Sequence, residues 1–182
     1  MKFNRILFSL AILGLVSSSC VDSGETDEAI LDIDKRAIEQ YLEENPISSV
    51  KELNDEITGI RILWQEVSNS GKQPINLDTA RVDYVGKLLT NRVFDTSLES
   101  VARENNIFSD GRNYIPLRFP VGRGILIVGF EYAIEQMEEG DKATVIIPSL
   151  FGYGNSASGD IPPNSPLIFE LDLIQVIDGP GQ

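Results

Sequence analysis

Between Leu167 and Leu173 the chain alternates strictly: Leu167, Phe169, Leu171 and Leu173 fall on one side of an extended segment, Glu170 and Asp172 on the other. A period of two marks a strand with one buried face. The same period runs from Ile60 through Ile62 and Trp64 to about Val67, and again from Thr79 to Leu89, where Val82, Tyr84 and Leu88 share a side. Gly86, inside that second run, signals a bulge or a close backbone approach. Asn91 suits a left-handed turn position, and Val93-Phe94-Asp95 follows it. Leu117–Val121 and Ala143–Ile147 read as further short strands, the latter stopped by Pro148.

Helical spacing governs other stretches. Ile30, Ile33, Ala37, Ile38, Tyr41 and Leu42 recur at intervals of three and four, and Pro46 closes the pattern. Phe130, Ala133, Ile134 and Met137 predict a helix over 130–140 with Gly140 as its C-terminal cap. Thr96 and Glu99 match a capping box, which predicts a short helix near 97–105 before a loop through Asp110-Gly111. The polar stretches 21–28 and 45–58 read as the two linkers. This order fits an α+β fold: an antiparallel curled sheet, or half-barrel, wrapped around one short helix, with an N-terminal helical extension.

Residues 1–20 carry a different pattern. Lys2 and Arg5 precede an apolar run from Ile6 to Val16, too short to span a bilayer and suited to an export signal. Ser17-Ser18-Ser19 then leads to Cys20, an ending similar to a bacterial lipobox, in which the cysteine is the lipidation site. Ser17 departs from that pattern, which usually has leucine there. Ordinary cleavage nearby, with Cys20 incidental, is the alternative. The division expected is a signal over 1–20, an acidic tether and helix over 21–57, and a folded domain over 58–178.

Composition narrows the chemistry. A net charge of −13 disfavours nucleic-acid partners, because phosphate backbones are repelled. With no histidine, imidazole-based triads and zinc sites are excluded, and one cysteine allows no intrachain disulfide. Asp32 and Asp34 lack the glycine and distal glutamate of a calcium loop. Gly122-x-Gly124 lacks the third glycine of a dinucleotide fingerprint, and no Lys-Ser or Lys-Thr follows Gly152-x-Gly154. No cofactor and no metal is expected.

What remains is an apolar cup. Phe151-Gly152-Tyr153-Gly154 allows a sharp turn that lifts an aromatic ring, and Pro162-Pro163 stiffens the return leg before the strand bearing Phe169. Val82-Asp83-Tyr84-Val85-Gly86, Val93-Phe94-Asp95-Thr96-Ser97, Phe119-x-x-Gly122, Gly129-Phe130-Glu131, Ala143–Pro148, Tyr153-Gly154 and Ile161-Pro162-Pro163 occur in one register. In order and spacing they resemble the FKBP-type peptidyl-prolyl cis-trans isomerases over about residues 58–178. The N-terminus and the inserted 96–116 loop are similar to lipoprotein members from Gram-negative bacteria.

That resemblance implies an enzyme that rotates Xaa-Pro bonds in exported proteins. Tyr84, Asp95, Phe130, Tyr153, Ile161 and Phe169 are its implied catalytic set, with Phe94, Leu117, Leu126 and Ile127 binding substrate. The Tyr153 hydroxyl and the Ile161 amide are expected to hold substrate carbonyls, and Asp95 to accept a hydrogen bond from Tyr84 or a ligand. Phe119 is a neighbouring core aromatic. Phe130 replaces the family's usual tryptophan and Leu117 an aromatic, while Arg112, inside the insertion, receives no role. Trp64 and the insertion are read as extra apolar contact surface. Implied partners are proline-containing polypeptides and macrolides of the tacrolimus or rapamycin type. The implied location is a bacterial membrane, the outer one, on its periplasmic or surface side, reached through a lipid anchor. The alternative is an anchored chaperone or assembly module that binds proline segments with little turnover.

Overall fold

The computed structural model describes residues 26–180, so the expected signal, Cys20 and most of the acidic tether lie outside the described residues. Helix α1 spans Asp27–Glu44. Its start is set by Thr26, whose hydroxyl accepts the Ala29 N–H at 3.3 Å, and by Asp27 and Glu28, which complement the helix dipole. Strands follow at Lys51–Asn54 (β1), Arg61–Glu66 (β2), Thr79–Leu88 (β3) and Val93–Thr96 (β4). Then come helix α2 (Glu99–Glu104), strand β5 (Leu117–Pro120), helix α3 (Val128–Glu135), strand β6 (Lys142–Ile147), a single 3-10 turn at Ser149–Phe151, and strand β7 (Leu167–Ile177). No described helix is long and apolar enough to cross a membrane.

All the strands pair antiparallel in one sheet, ordered β1-β2-β6-β7-β3-β4, with β5 also pairing β3. The long partners β3 and β7 form its spine, from Thr79↔Ile177 to Leu88↔Leu167. Their register slips at Arg81/Val82, leaving Ile174 as the extra residue. The slip flips the alternation, so that Leu173 and Val176 both point inward while Ile174 is exposed.

Neighbouring residues of one strand face opposite layers. Val145, Ile147, Phe169 and Leu171 point into the main core, against Phe130, Ala133 and Ile134 of α3 and Met137 just beyond it. Ile146 and Ile168 point the other way, into a second cluster with Ile38 and Tyr41 of α1. The N-terminal helix therefore packs on the outer face of the sheet. Close approach of α3 to the inner face requires a glycine: a Cβ on Gly129 would meet Ile147 at 2.3 Å.

Several expectations are corrected here. The segment 45–58 is not a linker: β1 lies within it, paired from Lys51↔Trp64 to Asn54↔Arg61. Helix α3 begins and ends earlier than 130–140, and Gly140 lies beyond it in a turn at φ +93°. There the Glu138 N–H turns to Asp141 (2.9 Å) and the Gly140 N–H to the Leu173 carbonyl (2.7 Å). The capping box does not form: α2 starts later, with Leu98 at its N-cap, and the Thr96 hydroxyl accepts the Leu98 N–H at 3.1 Å while donating to the Tyr84 carbonyl at 2.8 Å. Trp64 offers no contact surface: it is fully buried, with its indole N–H donating to Asp141 at 3.1 Å.

Candidate active site

At one end of the inner face the core opens into a cup of about 190 Å³ lined by Tyr84, Phe94, Asp95, Leu117, Ile125, Leu126, Ile127, Phe130, Tyr153 and Phe169. Five separate elements and two loops supply these side chains. Phe130 and Phe169 make its floor, with ring centroids 5.1 Å apart at 87°. Phe94 meets Phe169 edge-on at 5.8 Å, Tyr84 meets Phe130 at 6.2 Å, and Phe119 supports Phe130 from the core side at 6.1 Å. Edge-to-face contacts match the positive rim of one ring to the negative face of the next, so the floor is held in one arrangement. Gly86 makes room for it, since a Cβ there would meet the Phe94 ring at 2.7 Å.

One wall is polar. Tyr84 donates its hydroxyl proton to Asp95 at 2.6 Å and accepts from the Arg112 guanidinium at 3.0 Å, while Arg112 also pairs with Asp95. Burial, reinforced by the Asp95 carboxylate, holds the Tyr84 hydroxyl protonated well above the usual tyrosine range. The Tyr84 backbone is fixed as well: its N–H donates to the Ser97 hydroxyl (2.9 Å), and its carbonyl accepts from Ser97 N–H (3.1 Å) and Thr96 Oγ1 (2.8 Å). Arg112 is braced by the insertion, where Phe108 and Tyr114 stack at 5.5 Å with Arg103 over one ring and Arg112 over the other.

Opposite stands the segment entering α3. Buried Glu131 reaches back to accept the N–H groups of Gly124 (3.2 Å), Ile125 (2.8 Å) and Leu126 (3.0 Å). This leaves Ile127, at the N-cap of α3, with an N–H that has no hydrogen bond among the described residues. Tyr153, 39% exposed on the rim, likewise keeps its hydroxyl unbonded among them.

Nine of the ten residues expected in the cup therefore gather there. Ile161 does not line it. Its side chain is buried in the main core, and its N–H donates to the Ser158 carbonyl at 2.9 Å, so that amide is already engaged. Arg112, Ile125 and Glu131 were missed. Arg112 is the one cation between Arg103 and Arg118, and Glu131 sits inside the quoted Gly-Phe-Glu motif; these were the available signals.

The geometry defines a half-barrel domain with an aromatic, peptide-sized cup and one hydrogen-bonded wall. The chain belongs to the FKBP-type peptidyl-prolyl cis-trans isomerase family, which residues 70–174 match. It is 48% identical over 77 residues to a short-type peptidyl-prolyl cis-trans isomerase of Methanocaldococcus jannaschii, covering 42% of this chain and 48% of that protein. It is 34% identical over 141 residues to the FKBP-type 22 kDa peptidyl-prolyl cis-trans isomerase of Escherichia coli, covering 76% of this chain and 59% of that one. Among solved structures it is similar to FkpA from Escherichia coli, with a TM-score of 0.61 and 25% identity over 84% of this chain and 63% of that chain. The chain thus spans about half to three-fifths of the length of these proteins.

Proposed function

We propose that this protein is a peptidyl-prolyl cis-trans isomerase acting on proline-containing segments of exported proteins. The observation that carries the reading is the aromatic floor, Phe130 against Phe169, closed by the Tyr84–Asp95 wall. Rotation about an Xaa-Pro amide faces a barrier of about 18–20 kcal/mol from its partial double bond. The planar, charge-separated amide is stabilised best by water. A twisted amide has lost that conjugation and gives up less on entering an apolar cup. Preferential binding of the twisted form lowers the barrier without a covalent step. No cofactor enters this scheme.

In this reading Phe130, Phe169 and Phe94 hold the proline ring, while Leu117 and Leu126 shape the entrance. The free Ile127 amide and the Tyr153 hydroxyl hold the substrate carbonyls, Ile127 taking the part expected of Ile161. Tyr84, kept protonated, and Asp95 present the polar wall. Macrolides of the tacrolimus or rapamycin type fit the same cup. We further infer that Cys20 carries lipid and that the domain works at a bacterial membrane, the outer one, on its periplasmic or surface face. The lipobox-like ending supports this. A second reading, a proline-binding chaperone with little turnover, is favoured by the smaller Phe130 ring standing where the family usually has tryptophan, which alters the shape of the floor.

A proline-limited refolding assay separates the two. Acceleration that collapses in Tyr153→Ala and Phe169→Leu supports the enzyme. Binding of proline peptides by the wild type without any acceleration supports the chaperone. Labelling with radioactive palmitate, lost in Cys20→Ala, tests the anchor.

A further inference from the structure

Helix α1 does more than cover the sheet. Its buried stripe is Asp34, Ile38 and Tyr41, and a carboxylate is an odd choice for such a position. Asp34 is 3% exposed, and no Lys or Arg of the described residues pairs with it. Both of its hydrogen bonds come from one residue 115 positions away: the Ser149 N–H at 2.7 Å and the Ser149 hydroxyl at 2.6 Å. A buried carboxylate is unfavourable unless its acceptors are used, so this pairing is specific to Ser149 rather than generally adhesive.

Ser149 in turn anchors the loop that carries Tyr153 to the cup's rim. It opens the 3-10 turn after Pro148, and its carbonyl accepts the N–H groups of Gly152 at 2.9 Å and Gly154 at 2.8 Å. Those two glycines flank Tyr153. On the far side the Gly154 carbonyl accepts the Asn164 N–H at 2.8 Å. The Tyr153 loop therefore hangs on the Ser149 carbonyl, and Ser149 commits both its donors to α1.

We propose that Asp34 is a positioning residue for Tyr153, acting through Ser149, so that the N-terminal helix sets the geometry of the substrate-binding rim. The proposal rests on Tyr153 contacting substrate, as argued above, but its structural link can be read without catalysis. Helix α1 also holds the sheet through Ile38 and through Tyr41, whose hydroxyl donates to Asn91 at 2.7 Å. That second attachment provides a control on the same helix.

The test uses the full chain and three variants. Asp34→Ala should raise amide hydrogen exchange at Gly152 and Gly154 by tenfold or more and raise KM for a proline peptide about fivefold, with kcat within about twofold. Asp34→Asn, which keeps an acceptor oxygen in place, should recover most of both. Tyr41→Phe should change neither. Should Asp34→Ala fail to fold, Ser149→Ala, which removes one of the two bonds, must show the same pattern at about threefold. If the wild type proves to bind without turning over, peptide affinity replaces KM and the exchange result still decides. Unchanged exchange at Gly152 and Gly154 in folded Asp34→Ala, or equal effects from Tyr41→Phe, overturns the proposal and leaves α1 as packing alone.

Discussion

The two faces of the sheet are buried by different means. On the inner face, aromatic rings meet edge-on and leave one end of the core open as the cup. On the outer face, aliphatic contacts of Ile38, Ile146 and Ile168 are supplemented by directional bonds, Asp34 to Ser149 and Tyr41 to Asn91. The outer face also has the larger recess, about 520 Å³, between the 47–48 segment and Leu98. Its walls mix aliphatic side chains, Ile47, Val85 and Leu98, with the charged Asp83, Lys142, Glu170 and Asp172, and Tyr84 is its one aromatic residue, so no cluster of rings floors it. Size alone is thus a poor guide: the smaller hollow, shaped by rings from distant parts of the chain, fits an apolar five-membered ring.

The most severe way to probe this contrast is one deletion on each face. Phe130→Ala should cost about 3–5 kcal/mol in urea titration and abolish proline-peptide binding. Ile168→Ala on the outer face should cost about 2–5 kcal/mol yet leave peptide affinity of the folded protein within about twofold. Equal loss of affinity would mean the faces are not functionally separate. Phe130→Leu sharpens the point: stability should fall by about 1–2 kcal/mol while isomerisation falls by tenfold or more, because the edge-to-face contacts go with the ring. Arg112→Met should be milder. The guanidinium is 40% exposed, so its pairing with Asp95 contributes less than about 1 kcal/mol to stability. Peptide affinity should nonetheless drop about three- to tenfold, measured by calorimetry, as Tyr84 and Asp95 lose their common partner.

The smallest expected effect concerns acid. Burial, only partly offset by the hydrogen bonds from Ser149, raises Asp34 above its ordinary pKa of 3.8. The native protein therefore binds this proton more tightly than the unfolded chain does. The contribution of Asp34 to stability must fall as pH rises from 3.8 through the raised value, then level off. Asp34→Asn removes that dependence, so its stability relative to wild type should improve across the same window in thermal melts. A pH-independent difference would show that the carboxylate is buried at no penalty.

Much of this was legible in the chain. The β3–β7 spine, the core stripe of α3 and the turn at Asn91, φ +62°, follow from period and turn chemistry. What escaped depended on tertiary partners. Lys51-Glu-Leu-Asn has no alternation to detect; it is a strand because the free edge of β2 accepts it, beginning with Val50 N–H to the Trp64 carbonyl at 2.8 Å. Arg112 lies in a polar loop 17 positions from Asp95, and only the Phe108–Tyr114 stack brings it back. The Ile161 amide is the exception, since its partner is local: the Ser158 carbonyl lies three residues back, and Ser158-Gly159 is itself a turn signal. Asp34 looked like half of a weak cation motif, whereas its partner is Ser149.

Trp64 has a practical corollary. It is the sole indole in the chain and is sealed beside Asp141, whereas the cup carries phenyl and phenol rings. Its emission will track global melting cleanly and stay silent when a peptide docks. A fluorophore placed on the ligand, not the protein's own, is the signal to follow in titrations.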